Sequence, residues 1–187
     1  MKKFLSWFFI VSGILSFAAS AVLFWQRTTP QGLSFDINEN FNPSSVSFSS
    51  TPSAVSFRPL SLTIRDVGIY LSIYPASIEG GKWETTDKGV SYLVSSPIPG
   101  EIGNSIFYGH NWPNLLGNLI KVKKGQEIEI WFDNNMRRRF VVESVREVTP
   151  DQTHVLLKTD DKRVPIYTCI GFLDRKRFVV SAVLKEG

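Results

Sequence analysis

From Phe4 to Trp25 the chain carries no charged residue. Twenty-two residues at 1.5 Å each cross the hydrocarbon core of a bilayer as a helix. Nothing on this stretch is polar enough to make a solvent face, which argues against a core helix of a globular domain. The pattern then dissolves. From Gln26 to Phe57 neither a helical nor a strand period persists, and Ser, Thr, Pro and Asn gather in Asn42-Pro43-Ser44-Ser45 and Ser49-Ser50-Thr51-Pro52-Ser53. That composition predicts a flexible stalk. Phe35, Phe41, Phe48 and Phe57 interrupt it and leave room for part of the stretch to pack on a downstream domain.

From Arg58 onward a period of two takes over. Leu60 to Ile64 alternates apolar and polar residues, as a half-buried strand does. Val67 to Ile73 predicts the next strand, after a turn at Arg65-Asp66, and Gly80-Gly81 a loop. Ser105 to Tyr108 is a short apolar run. Glu127 to Phe132 alternates again, Asp133-Asn134-Asn135 is a turn, and Arg139 to Val148 returns. Val164 to Cys169 and Arg177 to Leu184 complete the set. Asn114 to Ile120 is the one short helix the pattern predicts here. About eight short strands with one or two short helices predict a mainly β domain, a closed eight-stranded barrel. The organisation expected is a cytoplasmic N-terminus at 1–3, an anchor at 4–25, a stalk at 26–57 and a domain at 58–187.

Charge sets the orientation. Lys2 and Lys3 precede the apolar run, while only Arg27 closely follows it. This bias predicts a single-pass membrane protein with its bulk on the extracellular side. Trp7 and Trp25 stand near the two ends, where indole rings prefer the interface. The alternative is a cleaved signal peptide ending at Ala19-Ser20-Ala21, but Val22-Leu23-Phe24-Trp25 continues the run past that point. Beyond residue 57 there are 18 Lys and Arg against 15 Asp and Glu, a net +3 too small to predict nucleic-acid binding.

The single cysteine excludes an intramolecular disulfide. Cys169 ends a strand, and His110 follows another, 59 residues upstream. Gly109 before the histidine permits a close approach or an unusual backbone. Two guanidiniums, Arg175 and Arg177, stand near the start of the last strand. A thiol, an imidazole and a cation suffice for covalent acyl transfer: nucleophile, proton carrier and oxyanion partner. Separated by two, the arginines share a face if the strand extends back, so alternation leaves the choice open. A free cysteine is also a common core residue, and then His110 is only a satisfied loop residue. His154, the other histidine, lies outside any motif and is expected on the surface. Arg137-Arg138-Arg139 is expected to be a solvated hairpin.

Three motifs, in this order and spacing, resemble the sortases, membrane-anchored cysteine transpeptidases of bacterial surfaces. Ser105-Ile106-Phe107-Tyr108-Gly109-His110-Asn111 resembles their Gly-His strand end. Pro165-Ile166-Tyr167-Thr168-Cys169 resembles their Thr-Leu-x-Thr-Cys strand, and Arg177-Phe178-Val179-Val180 their final strand. Lys124-Gly125-Gln126-Glu127-Ile128 is similar to their Gly-Asp-x-Ile step. Pro165 and Ile166 depart from the motif at positions without a chemical role. The connection from Thr149 to Arg163 is short, like that of the short-loop, class D or E members. No calcium dependence and no other cofactor is therefore expected, and the short loop after Cys169 predicts an open cleft on that side.

The resemblance implies a thiol-protease-like hydrolase and transpeptidase acting on secreted proteins that bear an LPxTG-like sorting signal. Cys169 is implied as nucleophile, His110 as acid and base, and Arg177, in preference to Arg175, as the oxyanion partner. Thr168, Asn111 and Trp112 are implied as support. The acceptor is an amine of a cell-wall precursor or of a pilin lysine. Two other functions compete. An L,D-transpeptidase also uses cysteine and histidine, but Tyr167-Thr168-Cys169-Ile170-Gly171 lacks the glycine expected before the cysteine. An inactive anchored binding module predicts a buried, inert Cys169, where a sortase predicts a reachable thiol.

Overall fold

A computed structural model describes residues 2–28, 33–35 and 57–185 of the chain. Helix α1 spans Lys2–Thr28, and its Trp7–Phe24 portion is exposed throughout and long and apolar enough to cross a membrane. The two Ser/Pro-rich clusters of the expected stalk, with Phe41 and Phe48, lie outside the described residues.

Eleven strands follow among the described residues: β1 (Pro59–Ile64), β2 (Ile69–Ala76), β3 (Ile78–Glu79), β4 (Lys82–Trp83), β5 (Val90–Leu93), β6 (Gly103–Asn104), β7 (Phe107–Tyr108), β8 (Glu127–Phe132), β9 (Arg137–Val148), β10 (Lys162–Ile170) and β11 (Lys176–Leu184). The main sheet runs β11-β9-β8-β1-β2-β5-β7-β10, and β10 pairs back with β11. Eight strands thus close the expected barrel, with β6 as a short flank on β10. Closure leaves none of the eight with an open edge.

Alternation decides what fills the barrel. Leu62 and Ile64 of β1, Ile128 and Ile130 of β8, Phe140 and Val142 of β9, and Val164 and Ile166 of β10 all join the interior cluster. The residues between them on β10 do something else. Tyr167 and Cys169 belong to a second buried cluster with Tyr108, Val148, Val179, Trp83 and Leu156. This cluster lies on the opposite face of β7, β10 and β11, the outside of the barrel. It is roofed by the Ile78–Trp83 hairpin, by a 3-10 turn at Thr153–Leu156, and by Leu33 and Phe35. The expected stalk therefore has one stretch, residues 33–35, packed on the domain.

Some elements differ from expectation. The helix expected at Asn114–Ile120 is a 3-10 turn at Leu116–Lys121. Leu115 and Gly117 donate their N–H groups to Trp112 O, and Leu116 donates to His110 O, which ties the entry of the turn to the histidine loop. Strand β5 escaped the period-two pattern because Val90 to Leu93 are buried on both faces. The arginine run is not a purely solvated face. Arg137 pairs with the buried Glu129 and lies over Trp131, while Arg138 covers Phe132 and donates to Pro99 O. Only Arg139 matches a plain exposed strand residue, opposite Glu129 in register.

Candidate active site

Three strand ends set the site. In the parallel β7–β10 pair, Tyr108 stands opposite Tyr167. Continued by two residues, that register puts His110 level with Cys169. In the antiparallel β10–β11 pair, Cys169 stands directly opposite Arg177. Opposed residues of neighbouring strands point to the same face at a spacing of about 4.8 Å between strands. Cys169 and Arg177 therefore share the outer face of the barrel, and His110, two residues past the end of β7, follows level with them by extension of the register. Arg175 does not: it caps the Phe172–Asp174 turn, before β11 begins, and is exposed.

This arrangement is pinned from below. The Gly109 N–H donates to Tyr167 O (3.2 Å), and the buried Thr168 hydroxyl donates to Gly109 O (2.7 Å). These bonds fix the exit of β7, and so His110, against the end of β10. A β-carbon on Gly109 would meet Leu116 Cδ1 at 3.2 Å, so the glycine serves a close approach here. The imidazole stacks on Trp112, with centroids 4.5 Å apart and planes 12° apart. Asn111 beside them is exposed. His154 is exposed on its 3-10 turn, as expected.

Electrostatics hold the resting pair neutral. Burial pushes the Cys169 thiol up to about 12, against the pull of the Arg177 charge, with Asp174 adding to the rise. Burial also lowers His110 below its ordinary value, opposed by Asp174 and Asp87. Thiol and neutral imidazole are therefore the forms present near neutral pH. The sulfur-bearing residue is only 4% exposed, so the thiol is buried, while the loop after it, Gly171 to Leu173, is exposed.

Arg177 shares that burial. It is 3% exposed, and among the described residues its hydrogen bonds go to backbone carbonyls and to no carboxylate. One guanidinium nitrogen donates to Asp174 O (2.6 Å) and Lys176 O (3.1 Å), the other to Ser34 O (2.7 Å). The first contact braces a strained turn, where Leu173 and Asp174 both have positive φ (53° and 55°). The last reaches the segment ahead of the barrel. Phe35 lies under the same guanidinium (5.9 Å), edge-on to Tyr167 (4.8 Å) and beside Trp83 (6.3 Å). The Tyr167 hydroxyl donates to Leu33 O (3.3 Å). Leu33 and Phe35 are each 2% exposed.

Sequence reading missed Trp83, Asp174 and the tripeptide as parts of this site. The two apolar residues flanking Ser34 were the available signal, since alternation over three residues is what a strand-like segment in a groove shows. It was too short to stand out from the stalk.

Similarity to known proteins agrees with this geometry. The family model for the sortase domain matches residues 62–185, about two thirds of the chain. Curated proteins give no match. Among solved structures, the complex of Streptococcus agalactiae sortase C1 with MTSET aligns with a TM-score of 0.60 at 20% identity, over 78% of this chain and 85% of that one. Listeria monocytogenes sortase A aligns at 0.56 and 22%, over 68% and 86%. The pilus-related sortase C of Group B Streptococcus aligns at 0.58 and 24%, over 71% and 70%. Identities this low show the fold alone, and nothing in them supports class D or E over another. From the order of its strands to the extent of the domain match, this chain belongs to the sortase family of cysteine transpeptidases.

Proposed function

We propose that this protein cleaves an LPxTG-like C-terminal sorting signal of secreted proteins and passes the acyl group to an amine. The observation that supports this reading is that Cys169 stands opposite Arg177 in register, with His110 two residues past the end of the neighbouring strand β7. In the first step the Cys169 thiol gives its proton to His110, and Sγ attacks the scissile carbonyl carbon. The C–N bond breaks, and His110 delivers the proton to the leaving amine. A thioester remains on Sγ. An incoming amine then loses a proton to His110, bonds the carbonyl carbon, and expels the thiolate, which takes the proton back. Arg177 donates to the carbonyl oxygen while it carries negative charge. Thr168 and Trp112 position His110, one through Gly109 O and the other by stacking.

The acceptor is an amine of a cell-wall precursor or a pilin lysine, and the α1 anchor holds the 58–187 domain on the outer side of the membrane. The scheme calls on no metal at any step. Trapping tests it: the full chain, in detergent and excess chelator, is incubated with a library of sorting-signal peptides and weighed intact. An acyl adduct on Cys169 from a subset of peptides is expected. No adduct from any peptide, even after long incubation, removes the reading.

One observation favours a second reading, a binding module without activity: the thiol is buried and its protonated form strongly favoured. The two readings part on whether anything uncovers Cys169.

Asp174 supplies a pH prediction. Its charge raises both His110 and Cys169, by stabilising imidazolium and by opposing thiolate. Asp174→Asn therefore lowers both. The pH–rate profile of kcat/KM is expected to move to lower pH on its acid and its basic limb together. A shift of either limb upward contradicts the assignment of His110 and Cys169 to those limbs.

A further inference from the structure

The 3-10 turn between β10 and β11 puts two large apolar side chains into solvent. Phe172 is 72% exposed and Leu173 43%. Among the described residues from 57 to 185, no large apolar side chain is more exposed than Phe172, which matches Phe24 of the apolar helix α1 (72%). Burial within the domain therefore accounts for neither residue type. The backbone does not call for them either. Leu173 holds φ 53° and ψ 37°, in the left-handed region that favours glycine and asparagine. The turn is nevertheless firmly framed. The Asp174 N–H donates to Gly171 O (3.3 Å), and Arg177 donates to Asp174 O (2.6 Å). Strain that such a frame maintains points to a use for the side chains it presents.

Position says what covers them. The turn comes within 8 Å of α1, Cα to Cα. Chain length brings the two together independently. Arg177 donates both to Asp174 O in the turn and to Ser34 O, so one guanidinium spans the gap between the turn and residues 33–35. Five residues lead from Thr28 at the end of α1 to Leu33, a reach of at most roughly 18 Å. A bilayer crossed by Trp7–Phe24 therefore has its surface within reach of Phe172 and Leu173. Charge fits the same occupant. Arg175 follows the tip, is exposed and has no ion pair among the described residues, and Lys176 stands next to it, paired with Glu147 (3.0 Å). An apolar tip with a basic flank suits the boundary between acyl chains and anionic headgroups.

We propose that the Phe172–Asp174 turn is a second membrane contact. Phe172 and Leu173 dip into the acyl boundary of the leaflet where α1 emerges, and Arg175 meets the headgroups. The face bearing Cys169 and Arg177 is then held at the membrane surface in a fixed orientation, instead of swinging free from α1. The proposal rests on α1 crossing the bilayer and not on the chemistry proposed for Cys169.

An environment-sensitive fluorophore tests this in the full chain. Cys169→Ala removes the native thiol, and Arg175→Cys or Val94→Cys supplies a single site for a nitrobenzoxadiazole label. Val94 is 53% exposed and follows β5, which runs antiparallel to β7, so it stands at the other end of the barrel. The labelled chains are reconstituted in vesicles of equal parts phosphatidylcholine and phosphatidylglycerol, with and without nitroxide-labelled lipid. The label at 175 is expected to emit at shorter wavelength than the label at 94 and to lose emission to the nitroxide lipid. The label at 94 is expected to lose emission only to aqueous iodide. Phe172→Ser with Leu173→Asn strips the apolar tip and keeps a residue type that the turn's backbone accepts. In that background the emission at 175 is expected to shift back toward that at 94, with loss of the quenching by nitroxide lipid. Equal behaviour of the two labels without the tip substitutions overturns the proposal. So does quenching at 175 that survives loss of the tip, because α1 alone then brings the turn to the lipid. A chain that fails to float with the vesicles removes the anchor, and the proposal with it.

Discussion

Arg177→Ala is expected to lower kcat/KM for a sorting-signal peptide by about 10²–10³-fold, the usual cost of losing one oxyanion donor. Arg175→Ala is expected to stay within about twofold, the range of an exposed surface change. The difference follows from where β11 begins. Arg177 is opposite Cys169 in register and buried, while Arg175 precedes the strand and faces solvent. Arg177 is also structural, since it braces the turn at Leu173 and Asp174. The conservative variant Arg177→Lys separates the two roles. It keeps the positive charge but loses the planar fork that serves several acceptors at once. An intermediate rate with an unchanged unfolding midpoint is expected for it. Collapse of the rate in Arg175→Ala and near-normal turnover in Arg177→Ala would reverse the assignment. Peptide turnover with initial-rate fits, alongside thermal unfolding of each variant, makes the measurement.

Cys169→Ala is expected to abolish both cleavage and transfer, leaving no adduct detectable by intact mass. No other thiol exists in the chain to substitute for it. The fold should survive. Removing one buried sulfur costs on the order of 1 kcal/mol, near the value of a single buried methylene. The strand is otherwise held by its pairing with β11 along its whole length and by Thr168. Cys169→Ser is expected to be nearly as inactive. A hydroxyl ionises far less readily than a thiol, and the neutral His110 is a weak base for it. Residual transfer in Cys169→Ala at even a few per cent of the parent rate would place the nucleophile elsewhere.

Burial and reactivity stand in tension in this site, and the physical origin of each is visible. The thiol sits high because its surroundings are apolar, and Arg177 only partly offsets that. Returning water to Sγ would lower the cost of thiolate.

Local pattern made most of the barrel legible. Glu127–Phe132 matches its strand end to end, and Val164–Cys169 and Arg177–Leu184 fall short of theirs by only one to three residues. Half-buried strands announce themselves by alternation. Val90–Leu93 did not, because both its faces are covered and its residues follow no period. The Ile78–Trp83 hairpin was visible only as its Gly80-Gly81 tip, where both glycines have positive φ. Two-residue strands are too short to carry a period at all. Among the residues proposed for the site, Cys169, His110 and Arg177 were legible from motif order, whereas Trp83 and Asp174 carry no local mark.

The sequence by itself determined the apolar anchor, the succession of strands and the three chemical groups, since each depends on residues close together in the chain. Tertiary structure alone decided which arginine stands across from the cysteine, because register between β10 and β11 is a long-range property. It also decided that Leu33, Ser34 and Phe35 lie on the face that carries Cys169 and Arg177. Their attachment comes from Arg177, Tyr167 and Trp83, 48 to 143 residues further along, and no local pattern can express a contact made at that distance.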